Sequence, residues 1–316
     1  VDLTEETQSQ GMVYAVTASP AFERDGLCFA ACSTGLFRSH DGGRTWGDAY
    51  VSLALETSLP TAAVVVSSHF EADRAVFAGV PGGILRSEDG GHIWQVVTLP
   101  APPPFVSTLV ASPDFARDGT LLAGTLEDGV FRSGDRGLHW EAWNFGLLDL
   151  SVLCLGISPD FANDETLFAG TDTGVFRSTN GGRAWREVEF PSDRAPVLSL
   201  ALSPGYSGDG TLLAGTEVCG LFASRDGGCS WQRLGEERLT GAVNSILLGR
   251  EFPAKEDMLV LHEDALLVSR DGGESWSEWQ MTAPTVPGVA AVAAPLGLDP
   301  GAPLLVGSVE GDMMRV

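Results

Sequence analysis

The tryptophans constrain this chain more tightly than any other feature. Trp46, Trp94, Trp140, Trp185, Trp231 and Trp276 are separated by 48, 46, 45, 46 and 45 residues. Each closes the same octapeptide: SHDGGRTW (39–46), SEDGGHIW (87–94), SGDRGLHW (133–140), STNGGRAW (178–185), SRDGGCSW (224–231) and SRDGGESW (269–276). Six matches at one period define an internal repeat, in which one supersecondary unit is stacked many times. The rest of the unit recurs too. It reads most clearly as STLVASPDFARDGTLLAGTLEDGVFRS over 107–133, with siblings at 157–178 and 202–224.

Three apolar runs of about five residues stand in each unit and a fourth begins at the tryptophan. Runs this short, bounded by Gly, Pro, Asp or Asn, predict strands rather than helices. Four strands per unit is one blade of a β-propeller. The expected fold is therefore all-β, a seven-bladed β-propeller of four-stranded antiparallel blades spanning residues 1–316 as a single domain. The octapeptides set six blades at 11–50, 61–99, 105–145, 151–190, 196–235 and 242–281. Apolar runs at 288–294, 302–308 and 311–316 supply three strands of a seventh blade at 287–316. That blade lacks an octapeptide and a fourth strand. Residues 1–8, with Leu3 in the matching apolar slot, are expected to add the strand and so close the ring, removing the edges an open stack would expose.

The octapeptide has its own logic. Gly-Gly supplies the positive-φ residues of a tight turn between third and fourth strands, and the Asp carboxylate accepts backbone N–H groups there. The tryptophan then fills the space beneath the hairpin. The element resembles the Asp-box, or BNR repeat, of sialidases, xyloglucanases, sortilin-type receptors and photosystem II assembly factors. Asn180 departs from it by replacing the acid, and the threonine slot is kept only at Thr45. The resemblance implies a propeller over nearly the whole chain. It does not imply activity, because in those families the element lies on the side opposite the active site.

Composition narrows the partners. With 44% hydrophobic residues, 39 glycines and 18 prolines, the chain suits strands and turns and is too apolar for disorder. A net charge of −23 argues against nucleic acid and against membrane surfaces, and no apolar run is long enough for membrane insertion. Five cysteines (Cys28, Cys32, Cys154, Cys219, Cys229) show no CxxC spacing. All five are expected to be free and buried in strands, which points to a reducing, cytoplasmic compartment. An extracellular site after cleavage of a leader is the alternative.

The search for chemistry yields no catalytic set. Among the implied relatives, a sialidase grips its substrate with three arginines. Here Arg38, Arg86, Arg132, Arg177 and Arg315 all occupy one repeat slot, whereas a substrate site is singular and breaks repeat symmetry. Packing and hydrogen bonding between blades explain them better. Xyloglucanases place their cleft between two propellers, and this chain has one. Glycosidase carboxylate pairs arise by accident among 42 acids. His40, His69, His92, His139 and His262 form no zinc motif, and Asp25, Asp73, Asp118, Asp164 and Asp209 read as turn caps rather than calcium ligands. Pro100, Pro102, Pro103 and Pro104 read as a rigid spacer. No catalytic residue, metal or cofactor is expected.

What remains is a non-catalytic interaction or scaffold module, a subunit or assembly factor of a larger complex. The alternative is a glycan-binding or glycoside-hydrolase-like protein. The loops between second and third strands share one face with the linkers between blades. They carry Glu127, Asp128, Asp172, Glu217, Glu263, Asp264, Glu310 and Asp312 and no lysine or arginine. This acidic crescent is expected to attract a protein partner with a basic segment, with Trp143, Phe145 and Trp279 in nearby linkers as apolar anchors.

Overall fold

The computed structural model describes residues 11–100, 104–191, 195–280 and 287–316. They form seven antiparallel sheets in chain order, six of four strands and a seventh that shows three among the described residues. Blade one comprises Val13–Ala18, Cys28–Cys32, Gly35–Ser39 and Gly47–Asp48; blade seven comprises Val289–Ala293, Leu305–Ser308 and Met313–Arg315. Strands pair in sequence order within each blade. The first strands of consecutive blades lie side by side around the ring, and that of blade seven lies against that of blade one. The protein is a seven-bladed β-propeller. Residues 1–8, assigned to the closing strand, and Pro102 and Pro103 of the spacer lie outside the described residues.

Each core sits between two blades. Phe29 and Leu36 of blade one pack with Val76, Leu85 and Trp94 of blade two. Leu259 and Leu261 of blade six meet Val292 and Val306 of blade seven. Val13 and Cys32 meet Ala291 and Met313 where the ring closes. Successive side chains of a strand point to opposite faces, so a blade covered on both sides needs apolar residues on both. The second strands are accordingly buried along their whole length, as at Cys28–Cys32 and Leu212–Thr216.

The glycine of the Ala-Gly-Thr run marks the closest approach of two blades. A Cβ at Gly124 would lie 2.6 Å from Val152 Cγ1 of the next blade, and one at Gly307 would lie 2.3 Å from Val13 Cγ1. Gly79, Gly170 and Gly215 meet Val106, Val197 and Val243 in the same way.

Between first and second strands the structure corrects the expected loop. A single-turn helix stands there at Phe22–Asp25, Phe70–Asp73, Phe115–Asp118, Phe161–Asp164 and Tyr206–Asp209, with its first residue buried. The aspartate that ends it is a cap, as expected. In blade one the Ser19 hydroxyl donates to Asp25 Oδ2 (2.7 Å) and the Leu27 N–H to Oδ1 (2.9 Å). The same pair of bonds recurs at Asp118 and Asp164. Both carboxylate oxygens are thereby engaged.

The octapeptide turn is built on its serine and acid. Ser39 Oγ donates to Asp41 Oδ1 (2.8 Å) and accepts the Gly43 N–H (2.9 Å). Asp41 Oδ1 accepts the N–H groups of Arg44 and Thr45. Gly42 and Gly43 hold φ of +78° and +85°, and Arg136 takes the equivalent left-handed position in the third turn at +64°. Serine does the work of threonine in two other turns, at Ser230 and Ser275: the Thr45 and Ser230 hydroxyls both donate to their acid at 2.6 Å. The tryptophans reach further than expected. Trp94 Nε1 donates to Ala49 O and Trp185 Nε1 to Trp143 O, each in the preceding blade unit and each at 2.8 Å. Of the arginines in register, Arg86 joins two blades, its Nε donating to Arg136 O of the next turn (2.9 Å), whereas the Nε groups of Arg38, Arg132 and Arg177 have no hydrogen-bond partner among the described residues.

No disulfide forms among the described residues. Cys28, Cys32 and Cys154 are buried, and burial pushes their thiols up to about 12. Cys219 is only half-buried and Cys229 is exposed, against the expectation of burial, because they stand in a loop and a turn rather than in strands. No helix among the described residues is long and apolar enough to cross a membrane.

Candidate functional site

Antiparallel pairing in sequence order sorts the connections onto two faces. The single-turn helices and octapeptide turns share one face and are bonded together, as in Gly42 N–H to Gly26 O (2.9 Å). The loops between second and third strands share the other with the linkers between blades. The predicted acids all belong to this second face, but the structure gathers only some of them.

The gathering point is the linker after blade three. Asn144 Nδ2 donates to Asp128 O (2.8 Å), while Asn144 Oδ1 accepts the Val130 N–H (2.8 Å). The Gly129 N–H donates to Leu150 O (2.9 Å). These bonds fasten the linker to blade three's loop, which carries Glu127 and Asp128. On its other side Asp149 Oδ2 accepts the N–H and hydroxyl of Thr173 at 2.9 and 2.8 Å, fastening it to blade four's loop beside Asp172. Burial pushes the Asp149 carboxyl up, but the bonds from Thr173, Ser151 and Thr171 outweigh it and hold the group below its usual range. It stays charged at neutral pH.

Linker and loops present apolar side chains to solvent. Phe145 is 80% exposed and Leu148 79%, and Leu150 of the same linker and Leu126, the residue before Glu127, are each 36% exposed. Glu127 and Asp172 are exposed and Asp128 half-buried. Glu127 holds a left-handed φ of +79°, a conformation in which a side chain costs energy. Exposed apolar side chains among charged ones are a common feature of docking surfaces.

The other predicted residues lie apart. Glu217, Glu263, Asp264, Glu310 and Asp312 are exposed on the loops of blades five, six and seven. Glu263 also holds a left-handed φ, +55°. Of the three expected anchors, Phe145 is exposed, Trp143 half-buried and Trp279 buried. Trp279 is 7% exposed, because its N–H continues the pairing to Leu266 O and turns the ring into the core between blades six and seven. Trp143 is half-buried with the Arg132 guanidinium 4.3 Å and that of Arg183 5.5 Å from its ring. Sequence reasoning missed Leu148, Leu150 and Asp149. The signal was the run Phe-Gly-Leu-Leu-Asp-Leu at 145–150, apolar yet outside any strand.

No protein-family model matches the sequence, and a comparison with curated proteins finds no match. Solved structures do match, at low identity. The chain is similar to YCF48 bound to D1 peptide (TM-score 0.71, 18% identity), covering 98% of this chain and 94% of that one. It is similar to the GH74 xyloglucanase from Xanthomonas campestris (TM-score 0.69, 18% identity), covering 94% of this chain and 51% of that one. It is also similar to the extracellular domain of the one-component system BT4673 from B. thetaiotaomicron (TM-score 0.70, 15% identity), covering 98% of this chain and 38% of that one. The chain thus spans about half of the xyloglucanase or less than half of BT4673, whereas it matches YCF48 end to end. These likenesses share the propeller fold.

Proposed function

We propose that this propeller is a non-catalytic interaction module, of the Asp-box repeat kind, that docks a protein partner on its loop and linker face. The observation that carries the reading is the exposure of Phe145 (80%) and Leu148 (79%) on one linker, whose Asn144 and Asp149 are bonded to the two acidic loops. Burying two such side chains removes enough apolar surface to matter for affinity, and Glu127, Asp128 and Asp172 select a partner segment of opposite charge. The partner is therefore a peptide segment that mixes basic with apolar residues. The end-to-end likeness to YCF48, solved with a bound peptide, supports a protein ligand over a carbohydrate. A display library of random peptides, selected on the intact protein, tests this. Enrichment of Lys/Arg-rich segments with an aromatic or leucine, lost at high salt, is expected; enrichment without charge bias contradicts it.

The alternative is a glycan-binding or glycoside-hydrolase-like protein, favoured by the likeness to GH74 enzymes. Release of reducing ends from xyloglucan by the isolated protein would establish it in place of the docking reading.

A further inference from the structure

The repeat breaks at one cleft on the opposite face, between blades four and five, independently of the docking face. Cross-strand register places Arg186 directly opposite Arg177. In the other blades the arginine slot faces Gly47, Gln95 or Glu141, and where it holds Ala223 or Val268 the opposite residue is Gln232 or Ser277. Like charges directly opposite each other repel. Neither guanidinium has a hydrogen bond or ion pair among the described residues; that of Arg177 lies over the ring of Phe168 in its own blade, 5.7 Å from the centroid.

Two further departures stand close by, Asn180 in the lining of the cleft and Tyr206 behind it, next to Gly227. Asn180 removes the negative charge that the turn keeps in the other five octapeptides. Tyr206 replaces the phenylalanine found at Phe22, Phe70, Phe115, Phe161 and Phe252. It is 5% exposed, and its hydroxyl has no partner. That hydroxyl and Arg177 Nη1 lie 3.4 and 3.6 Å from one point, the Cβ position of Gly227. Arg177, Arg186, Asn180 and Cys229 line a cleft of about 450 Å³. Glu187 and Glu189 also line it; Glu187 alternates with Arg186 along the two-residue strand and so leaves the face that Arg177 and Arg186 share, while Glu189 stands at the border beyond the strand.

We propose that this cleft binds an oxyanion, carboxylate or phosphate, between the Arg177 and Arg186 guanidiniums with the Tyr206 hydroxyl donating to it. A bound oxyanion relieves the repulsion and supplies the acceptor that Tyr206 lacks. The test uses reversions to the repeat's own residues, which should not disturb folding: Asn180→Asp, Arg186→Gln and Tyr206→Phe combined. Calorimetric titration at low ionic strength with inorganic phosphate and, separately, malonate should show saturable binding of at least one, and the tighter probe identifies the class. The triple variant should bind about tenfold more weakly or not at all. Saturation should also slow alkylation of Cys229, followed by peptide mass spectrometry, without slowing that of Cys219. Absence of saturable binding of both probes, equal binding by the triple variant, or unprotected Cys229 would overturn the proposal.

Discussion

At Asp226 the Ser230 hydroxyl, the Ser230 N–H and the Ser224 hydroxyl hold the carboxyl down to about 2, against an ordinary value of 3.8. Asp271 is held at about 2 in the same way, through Ser275. At Asp135 burial pushes up, but the His139 N–H and ring and the Ser133 hydroxyl prevail and again leave it at about 2. A carboxyl whose folded value lies below its unfolded one stabilises the fold above the unfolded value, and that contribution is lost as pH falls through the folded one. Stability carried by these turns should therefore decline between about pH 4 and pH 2. Asp226→Asn tests it, because Asn180 already shows that an amide oxygen can accept the turn's N–H, that of Ala184 at 2.9 Å. Urea midpoints of the variant should be lower than wild type at pH 6 and converge toward it at pH 2.5. Parallel midpoint curves would contradict the account.

Strands and their neighbours set the next scale. The valine that fills the notch left by each Ala-Gly-Thr glycine fixes the spacing of blades, so Gly124→Ala, with its Cβ 2.6 Å from both Val152 Cγ1 and Thr108 Cγ2, should cost about 1–3 kcal/mol. Gly208→Ala, where a Cβ would meet nothing within 4 Å, should change stability by less than about 0.5 kcal/mol. Equal losses in thermal unfolding would show that the notch does not matter. This glycine and the octapeptide made the blades legible in the sequence, because a local motif fixes a turn and a turn fixes two strands. The single-turn helices were not legible. Four residues such as Phe22–Asp25 barely complete one 3.6-residue turn and leave no period to detect. The candidate site was half legible, since acids without neighbouring lysine or arginine can be counted along the chain. Burial of an apolar linker residue cannot: Trp279 and Leu148 both follow a fourth strand, yet one enters the core and the other faces water.

On the scale of the whole ring, the packing of Val13 against Gly307 joins blade seven to blade one, and Met313–Arg315 is the outermost described strand of blade seven. A strand donated by residues 1–8 would cover that edge. Deleting those residues should lower the melting temperature or promote association through the bared edge; an unchanged melting curve with a monodisperse product would contradict this closure. The closed disc leaves one face for the octapeptide turns and the other for loops and linkers, and on the second the apolar side chains of blades three and four stand among acids. Affinity there should depend on both features. Surface replacements of this kind leave stability nearly unchanged, so a loss of binding can be read directly. The decisive measurement is the Kd of a selected basic, apolar-containing peptide for wild type, for Phe145→Ser with Leu148→Ser, and for charge reversal of Glu127, Asp128 and Asp172, each at low and high salt. A rise of about tenfold or more for the double variant, with a salt dependence that the charge reversal abolishes, is predicted. Unchanged affinity in both variants, or equal weakening by reversal of Glu23 and Glu71 on the opposite face, would contradict it.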